Sequence, residues 1–356
     1  MPKTQIISIA DFTEFLLFNQ QNGYYTTKNP IGNKKNGDFI TSPEISGLFG
    51  EMLAVYLVNL FSFQQEPVVL VEMGAGQGTL MFDVLNTITK LAKTNEVAKK
   101  FWQNCQVAII EISPVLTKIQ QQKLASFNIA WYVDFASFLA SNKQKIFFFS
   151  NELFDCFAIN QYIKTKQGWQ LRMLTFEGEL ANHNFSNLQF VLSDFCPQNH
   201  HLVCQILGQE IADSAPIGGV FEYAPKAHLF AKNLAETLKK QGGVAINIDY
   251  GYTHYEFANT LQVLKNHQKQ NFLTSCQNAD ITALVDFVLL QKVAKQHNLQ
   301  CSLISQSEFL KQIGIYERAE ILQKLHHKQA SQIAIDISRL TDARQMGSLF
   351  KVLVWW

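Results

Sequence analysis

From residue 66 onward, short apolar runs alternate along the chain with stretches of helical periodicity. The first run, residues 68–73, is apolar except for one glutamate and leads into a group of glycines. Such runs are typical of strands that are buried on both faces of a parallel sheet. The same pattern predicts further strands at residues 107–112, 130–133, 145–149, 244–249 and 349–355. Because helical stretches separate these strands, we expect an α/β fold with a mostly parallel sheet built from right-handed crossovers.

The segments around this alternation predict additional layers. Residues 1–65 show helical periodicity on both sides of a turn-rich loop and predict an N-terminal helical cap, in which Ser42 suits the N-cap and Pro43 the first residue of a helix. A hairpin over residues 159–175 starts an insertion that extends to about residue 215. We therefore expect an α/β core over residues 66–255, a largely helical lid over residues 256–300, and the C-terminal part of the core sheet over residues 301–356.

Composition narrows the class of protein. A chain of 356 residues with 47% hydrophobic and 17% charged residues has enough apolar side chains for a sizeable core. Lys and Arg total 30 against 29 Asp and Glu, and only four of those cations are arginines. Proteins that bind nucleic acid usually carry a basic, arginine-rich face. The balance of charge therefore gives no support to a nucleic-acid partner.

The cysteines and the N-terminus bear on the compartment. The six cysteines form no CxxC pair and the nine histidines no HExxH motif, so we expect reduced thiols and no metal site. No apolar run approaches the roughly 18 residues that a membrane span needs. Asp11 and Glu14 interrupt the first residues, which therefore resemble neither a secretory signal nor a transit peptide. We expect a cytoplasmic protein with no membrane span.

The loop after the first predicted strand carries the clearest chemical signal. Glu72 precedes three alternating glycines, Gly74, Gly76 and Gly78, and a helical stretch follows. Glycine allows a tight turn and a close approach of a ligand to the backbone, and in open α/β sheets ligands bind beyond the carboxyl ends of the strands. The dinucleotide fingerprint requires GxGxxG, whereas position 79 is Thr. An acidic residue before GxGxG instead resembles motif I of class I S-adenosylmethionine-dependent methyltransferases.

Two acidic residues end the next predicted strands. Glu111 follows the run at 107–110, where a carboxylate can accept both hydroxyls of a ribose. Asp134 follows the third strand, where it could contact an adenine edge. The alternative roles are a solvated acid at a strand end for Glu111 and a helix cap or turn for Asp134.

Three further motifs carry a resemblance to a known family. They are GDFITSPEIS at residues 37–46, SNELFD at residues 150–155 and DYG at residues 249–251. Together with the glycine loop they resemble the MidA family, whose mitochondrial members assist assembly of respiratory complex I. The similarity extends from about Gly23 to the C-terminus and includes residues 280–287 and 345–347. It implies a Rossmann-like class I methyltransferase fold with lid elements, S-adenosyl-L-methionine as cofactor and, in mitochondrial relatives, an arginine acceptor on a complex I subunit.

The resemblance also implies a set of site residues. Those expected to hold S-adenosyl-L-methionine are Glu72, Gly74, Ala75, Gly76, Gly78, Glu111, Asp134, Thr41, Ser42, Pro43 and Glu44. Ala75 and Gln77 depart from the Pro and Arg that are common in the family, but no glycine is lost.

Three residues after the fourth strand are candidates for catalysis. We expect Glu152 and Asp155 to clamp the acceptor and Asn151 to orient it, because acceptors bind at this position in the fold class. For Asp155 and Glu44 the alternative role is stabilisation of a helix N-terminus. Residues 280 and 282 are predicted to cap a helix, and a direct role in function is the alternative.

The leading hypothesis is a protein arginine methyltransferase of the MidA type that acts on a complex I subunit or a similar protein. The first alternative is a non-catalytic assembly factor that keeps the cofactor fold. The second is a nicotinamide oxidoreductase, which Thr79 disfavours. The Asn-Pro-Pro-Tyr/Phe motif of nucleic-acid amino-methyltransferases is absent from the chain, in agreement with its charge. The aromatic content of 12% leaves apolar surface for a homodimer interface or a client groove.

Overall fold

The computed structural model describes residues 4–32, 37–181 and 184–356. These residues form the following strands: β1 Thr4–Ser8, β2 Val68–Met73, β3 Cys105–Ile110, β4 Ala130–Tyr132, β5 Lys145–Asn151, β6 Asn160–Thr165, β7 Gly168–Glu179, β8 Asn184–Leu192, β9 Val220–Tyr223, β10 Gly243–Tyr252, β11 Gln262–Lys265, β12 Gln268–Gln270, β13 Asp280–Thr282, β14 Val285–Asp286, β15 Cys301–Ser305 and β16 Phe350–Trp355.

The helices are α1 Ile9–Phe18, α2 Tyr24–Thr27, α3 Ser42–Ile45, α4 Gly47–Ser62, α5 Thr79–Leu91, α6 Glu96–Asn104, α7 Pro114–Lys123, α8 Phe135–Ser141, α9 Pro197–Leu207, α10 Gln209–Ser214, α11 Pro225–Gln241, α12 Phe272–Ser275, α13 Phe287–Gln296, α14 Gln306–Gln312, α15 Ile315–Leu325, α16 Ala330–Thr341 and α17 Met346–Leu349. Short 3₁₀ turns span Phe154–Cys156 and His327–Gln329.

The central sheet has the strand order β15-β16-β10-β5-β2-β3-β4, with β14 paired to the end of β10. Its strands are parallel except β16, which runs antiparallel to both neighbours. The strands β2, β3 and β5 are buried along most of their length, as expected for a sheet that is covered on both faces. The predicted α/β class with a mostly parallel sheet is confirmed.

Helices pack on both faces of this sheet. On one face α4, α5 and α6 bury aromatic and aliphatic side chains, and Phe61 stacks on Phe101 with ring centroids 4.8 Å apart. On the other face α11 and α13 cover the sheet, and Phe230 packs against Phe148 at 6.0 Å. The carboxyl ends of the parallel strands are instead covered by the segments that precede the core or are inserted into it.

A second, antiparallel sheet has the order β1-β7-β6-β9, and β8 pairs with the other side of β7. The strands β6 and β7 form the predicted hairpin, with Gly168 at a φ of +128° after its turn. The N-terminal segment was expected to be helical, yet it begins with β1, in which Ile6 pairs with Thr175. Because β1 is short and mostly exposed, it shows little of the apolar alternation that marks a strand.

The segment 256–300 is not the largely helical lid that its sequence suggests. Its first part forms a third sheet, β12-β11-β13, whose hairpin turns through Asn266 and His267, both at positive φ. The first part contains only the short helix α12, whereas the second part forms the longer helix α13, which buries Phe287 and Val293 against the central sheet. Hairpin turns with positive φ at both central residues usually have the sequence Asn-Gly. Here the second residue is His267, and because a non-glycine residue seldom adopts positive φ, the sequence did not indicate this turn.

The predicted cap helix after residue 42 is divided in two. α3 ends at Ile45 and α4 starts at Gly47, with the side chain of Ser46 as its N-cap. Ser42 is therefore not an N-cap, and its hydroxyl contacts Gln306 Oε1 at 3.4 Å. Over the described residues, the helices are too short or too polar for any of them to traverse a lipid bilayer.

Candidate functional site

A cavity of about 710 Å³ lies beyond the carboxyl ends of β2, β3, β5 and β10. The N-terminal segment and the third sheet cover it from the outside, and side chains from residues 14–31, 39–44 and 262–280 contribute to its wall. Most of the predicted site residues line this one cavity: Thr41, Pro43, Glu44, Glu72, Gly74, Ala75, Gly76, Glu111, Asp134, Asn151, Glu152 and Asp155. Ser42 and Gly78 lie just behind its wall.

The glycine loop connects β2 to α5 in a conformation that other residues adopt only under strain. Gly74, Gly76 and Gly78 have φ values of +71°, +52° and +76°. A Cβ on Gly76 would lie only 2.6 Å from Ile31 Cδ1. Gln120 donates a hydrogen bond to the carbonyl of Gly76 at 2.9 Å, so the loop is fixed from outside the cavity. The backbone is thus presented to the cavity without side chains that could block it.

Glu72 brings a buried carboxyl group to the start of this loop. Its side chain is only 2% exposed, and the amide of Met81 donates to it. Burial, and the neighbouring Glu111, raise the pKa of Glu72 to about 8. Its Oε2 has no hydrogen-bond partner among the residues that the structure describes. A buried polar atom without a partner that borders a cavity is suited to a ligand that donates a hydrogen bond.

Glu111 and Asp134 differ in how much of their carboxyl group is already used. Glu111 is buried and accepts hydrogen bonds of 2.9 Å from the amide of Ser113 and from Gln120 Nε2. Burial raises its pKa to about 7, and these two bonds oppose that rise. Asp134 is exposed and caps α8 by accepting from the amide of Ser137 at 2.7 Å. The alternative role of Asp134 as a helix cap is therefore confirmed, and the residue also borders the cavity.

Two apolar side chains beside these carboxyl groups were not among the site residues predicted from the sequence. Ile112 is 51% and Val133 59% exposed, and both line the cavity. Each directly neighbours a predicted acidic residue. Apolar side chains that are left uncovered at a strand end form a suitable wall for a flat ring.

Residues 41–44 connect the N-terminal segment, which covers the cavity, to the residues at the strand ends that form its floor. Glu44 Oε1 accepts a hydrogen bond of 2.5 Å from the hydroxyl of Thr79, which in turn accepts one from Lys123. Ser42 is buried, and its amide donates to Glu152 Oε1 at 3.2 Å. This segment therefore contacts both the glycine loop and the predicted catalytic residues.

The predicted catalytic residues lie together at one end of the cavity. Asn151 Nδ2 donates to Glu152 Oε1 at 3.0 Å, and the hydroxyl of Tyr250 donates to Asp155 Oδ2 at 2.5 Å. Glu152 has a φ of +54°, a rare conformation for a residue with a Cβ, and its amide is held by the carbonyl of Ile248. Burial, with the nearby Asp155, raises the pKa of Glu152 to about 8. Burial also raises the pKa of Asp155.

Asp249, from the DYG motif, fixes the turn that carries these groups. Its Oδ2 accepts from the amides of Phe154 and Asp155 at 2.8 and 3.2 Å, and its Oδ1 from the amide of Tyr250 at 2.9 Å. The Asp249 side chain lies behind the cavity wall, and Tyr250 is the residue of this motif that lines it. The motif therefore supports the site from behind.

Two more residues at this end, Tyr25 and Asp280, were not assigned to the site from the sequence. Asp280 was expected to cap a helix, but it begins β13, is buried and lines the cavity. The hydroxyl of Tyr25 donates to Asp280 Oδ1 at 2.5 Å. Burial raises the pKa of Asp280 to about 7. Only the family-like string at residues 280–287 pointed to this strand, and it did not indicate where the strand packs.

The acidic end of the cavity consists of Glu152, Asp155 and Asp280, with Asp249 behind them. In the described part of the chain, no lysine or arginine forms an ion pair with any of these four carboxyl groups. Nor do residues 4–32, 37–181 and 184–356 contain a group of three or more His, Cys, Asp or Glu side chains placed to hold a metal ion. Buried carboxyl groups without a cation favour a positively charged ligand.

Comparison with known proteins connects this site to a family and a fold. The model of an S-adenosyl-L-methionine-dependent methyltransferase family matches residues 52–305. The protein arginine methyltransferase NDUFAF7 of Xenopus tropicalis is 28% identical over 97% of this chain and 81% of its own length. The human protein of that name is 27% identical over 97% of this chain and 78% of its own. The Drosophila melanogaster homolog is 28% identical over 98% of this chain and 80% of its own.

Among solved structures, a Burkholderia thailandensis protein bound to S-adenosyl-homocysteine superposes with a TM-score of 0.80. It is 21% identical, and the match covers 98% of this chain and 87% of that one. This similarity confirms the class I methyltransferase fold that was predicted.

The expected cytoplasmic location is wrong by the same comparison, since the named relatives from frog, human and fly are all mitochondrial. The prediction relied on cysteines that form no CxxC pair and on first residues that resemble neither a secretory signal nor a transit peptide. Reduced thiols suit any reducing compartment, so the cysteine pattern could not distinguish one from another.

Proposed function

The chain belongs to the family of S-adenosyl-L-methionine-dependent methyltransferases, and on that premise we propose that it methylates an arginine side chain of a protein. The relatives from frog and human that match 97% of this chain are named protein arginine methyltransferases. One observation carries the choice of acceptor: at the end of the cavity Asp155 is buried and Glu152 is half-buried, and neither has a cationic partner in the described residues. A guanidinium group is planar, remains charged at ordinary pH and matches carboxylates in a forked geometry.

The residues around the glycine loop fit the cofactor. The unpartnered Oε2 of Glu72 would accept from the amino group at the methionine end, where Gly74, Ala75, Gly76 and Gly78 keep the backbone accessible. Glu111 would accept from the ribose, since each carboxylate oxygen has a second lone pair beyond the bonds it already accepts.

The remaining predicted contacts enclose the rest of the cofactor. Ile112 and Val133 would flank the adenine, with Asp134 at its edge. Thr41, Ser42, Pro43 and Glu44 would cover the cofactor from the N-terminal segment. When it is bound, S-adenosyl-L-methionine supplies an electrophilic methyl group, whose bond to sulfur breaks, with its electron pair left on sulfur, as the bond to the acceptor nitrogen forms.

The chain's own residues would supply alignment and a base. Asp155 and Asn151 would hold the nitrogens that do not react, while Glu152 would take the proton that the attacking nitrogen must lose. The high pKa of Glu152 makes it a stronger base than an exposed glutamate once it is ionised. Asp249 would keep this turn rigid through the three hydrogen bonds that it accepts from backbone amides. The acceptor guanidinium starts and ends with one positive charge, because the released proton stays on Glu152.

Two finer features are also proposals, the first from the resemblance of the sequence and the second from its aromatic content of 12%. The first is that the protein client is a subunit of respiratory complex I or a similar protein. The second is that the chain forms a homodimer.

The test is a labelled-methyl assay on cell extract from a strain that lacks the gene. Purified protein and methyl-labelled S-adenosyl-L-methionine are added, and acid hydrolysates are analysed for methylarginines. We expect label in methylarginine, and label in methyllysine alone would overturn the choice of acceptor. Binding of S-adenosyl-homocysteine without any labelled product would instead support a non-catalytic assembly factor.

A further inference from the structure

The acidic end of the cavity includes one carboxyl group that the proposed reaction has not used. Asp280 is 5% exposed and comes from the third sheet, whereas Glu152 and Asp155 follow strand β5 of the central sheet. It interacts electrostatically with both of those residues: the charge of Asp280 raises the pKa of Glu152, and the charge of Asp155 raises the pKa of Asp280. A segment inserted into the fold thus adds charge to a site built by the core.

Tyr25 links Asp280 to that site. Its hydroxyl donates to Asp280 Oδ1 at 2.5 Å, and the thiol of Cys156 lies 3.5 Å from the same hydroxyl. Cys156 also donates to Asp155 Oδ1 at 3.3 Å. The two carboxyl groups are therefore connected through one tyrosine and one thiol, and both of these connecting side chains line the cavity themselves.

A second observation at the same end of the cavity indicates a ligand with N–H donors. Asn151 is 8% exposed, lines the cavity and already donates its amide hydrogen to Glu152. Within the described part of the chain, its Oδ1 has no hydrogen-bond partner. Once the three neighbouring carboxyl groups are ionised, they and this carbonyl oxygen all act as acceptors, and a guanidinium, with five N–H donors and no acceptor, fits such a surface.

We propose that Asp280, positioned by the hydroxyl of Tyr25, is a third carboxylate of the acceptor site and selects a charged guanidinium over neutral groups of the same shape. The inference rests on the proposed arginine acceptor and names the residue that gives that site its charge specificity. Glu152 and Asp155 remain the groups nearest to the transfer. The carboxylate of Asp280 attracts the positive charge of the guanidinium, so that a neutral isostere binds this site less tightly.

The test measures binding and needs no turnover. N-acetyl-L-arginine amide and its neutral isostere N-acetyl-L-citrulline amide are titrated by ligand-observed NMR into the protein saturated with S-adenosyl-homocysteine. We expect the unaltered protein to prefer the arginine compound, and Asp280→Asn to reduce that preference about tenfold, as the loss of one charged hydrogen bond predicts. Tyr25→Phe should reduce it about threefold, because the carboxylate remains but is no longer held. Asp336→Asn, a charge change on α16 outside the cavity, should leave it unchanged.

Each other outcome also decides the matter. An unchanged preference in Asp280→Asn overturns the proposal, and so does a loss of S-adenosyl-homocysteine affinity in that variant, which would indicate a structural role. If Asp280→Asn fails to fold, Tyr25→Phe decides in the same way. If the unaltered protein binds S-adenosyl-homocysteine but shows no preference for arginine over citrulline, the arginine acceptor itself fails, and this inference with it.

Discussion

The hydroxyl of Tyr25 donates a 2.5 Å hydrogen bond to Asp280, a residue 255 positions further along the chain. The bond joins the N-terminal segment to the third sheet directly over the carboxyl groups of the central sheet. A second connection runs beside it, because Asp38 accepts hydrogen bonds from the amides of Asn266 and His267. The N-terminal segment and the inserted sheet therefore cover the site as one interlocked unit.

Glu152→Gln should separate methyl transfer from cofactor binding. We expect labelled-methyl transfer to fall at least about 100-fold, since a positioned base typically contributes that much. The affinity for S-adenosyl-homocysteine, measured by calorimetry, should change less than about twofold, because the glycine loop is untouched. Glu256→Gln, on an exposed part of the chain, is the matched control. Equal transfer rates in the two variants would remove Glu152 from the reaction.

Gly76→Ala should weaken cofactor binding through a steric clash. The new Cβ would lie 2.6 Å from Ile31 Cδ1, at a φ of +52°. We expect a loss of S-adenosyl-homocysteine affinity of at least about tenfold by calorimetry. Gly218→Ala is the matched control, since Gly218 also has a positive φ but its Cβ would meet open space. If Ile31→Ala restores part of the affinity in the Gly76→Ala background, the clash is the cause.

Raising the pH should destabilise the protein when no ligand is bound. The pKa values of Glu72 and Glu152 rise from an ordinary 4.5 to about 8, and those of Glu111 and Asp280 rise to about 7. The folded state therefore binds more protons than the unfolded state between these ordinary and raised values, and stability falls as pH rises through that window. We expect the midpoint of thermal unfolding to drop by on the order of 5 °C between pH 5.5 and pH 8.5.

Replacing two of these carboxyl groups with neutral side chains tests whether they cause the dependence of stability on pH. In the double variant Glu72→Gln and Glu152→Gln, two of the proton-binding groups are lost, so the dependence on pH should become shallower. A melting curve series with the slope of the unaltered protein would show that these groups do not carry it.

Asp249→Asn should destabilise the turn that carries Glu152 and Asp155. One of the two carboxylate oxygens becomes an amide nitrogen, so at least one of the three donating amides loses its acceptor. We expect a loss of about 2 kcal/mol in the free energy of unfolding in urea. Asp134→Asn replaces an exposed N-cap with an equally good one and should leave the urea midpoint unchanged. Equal urea curves for the two variants would contradict the supporting role of Asp249.

The sequence predicted the elements whose pattern is local. Strand β2 was expected at residues 68–73 and forms there, since a continuous apolar run followed by glycines marks both the strand and its end. The glycine loop, Glu111 and residues 151–155 were placed at the same sheet edge for a related reason: parallel strands bring their carboxyl ends together.

The rest depended on distant contacts. β1 is a strand only because β7 offers it a partner, and β13 is a strand only because β11 does. Asp280 could not be placed in the cavity while its segment was read as the start of a helix. Ser42 looked like a helix cap, yet the helix breaks at Ser46 and the amide of Ser42 turns to Glu152.

The position of β16 in the central sheet has a consequence for how the protein acquires its fold. β15 pairs with β16 alone in the described sheet, and β16 pairs with β10. During synthesis β15 therefore leaves the ribosome before the strand that will connect it to the sheet exists. Until residues 350–355 follow, the edge of β10 stays open and is available to chaperones or to strands of other chains. The most vulnerable moment in the production of this enzyme thus comes late, after its cofactor loop and acidic residues have already been made.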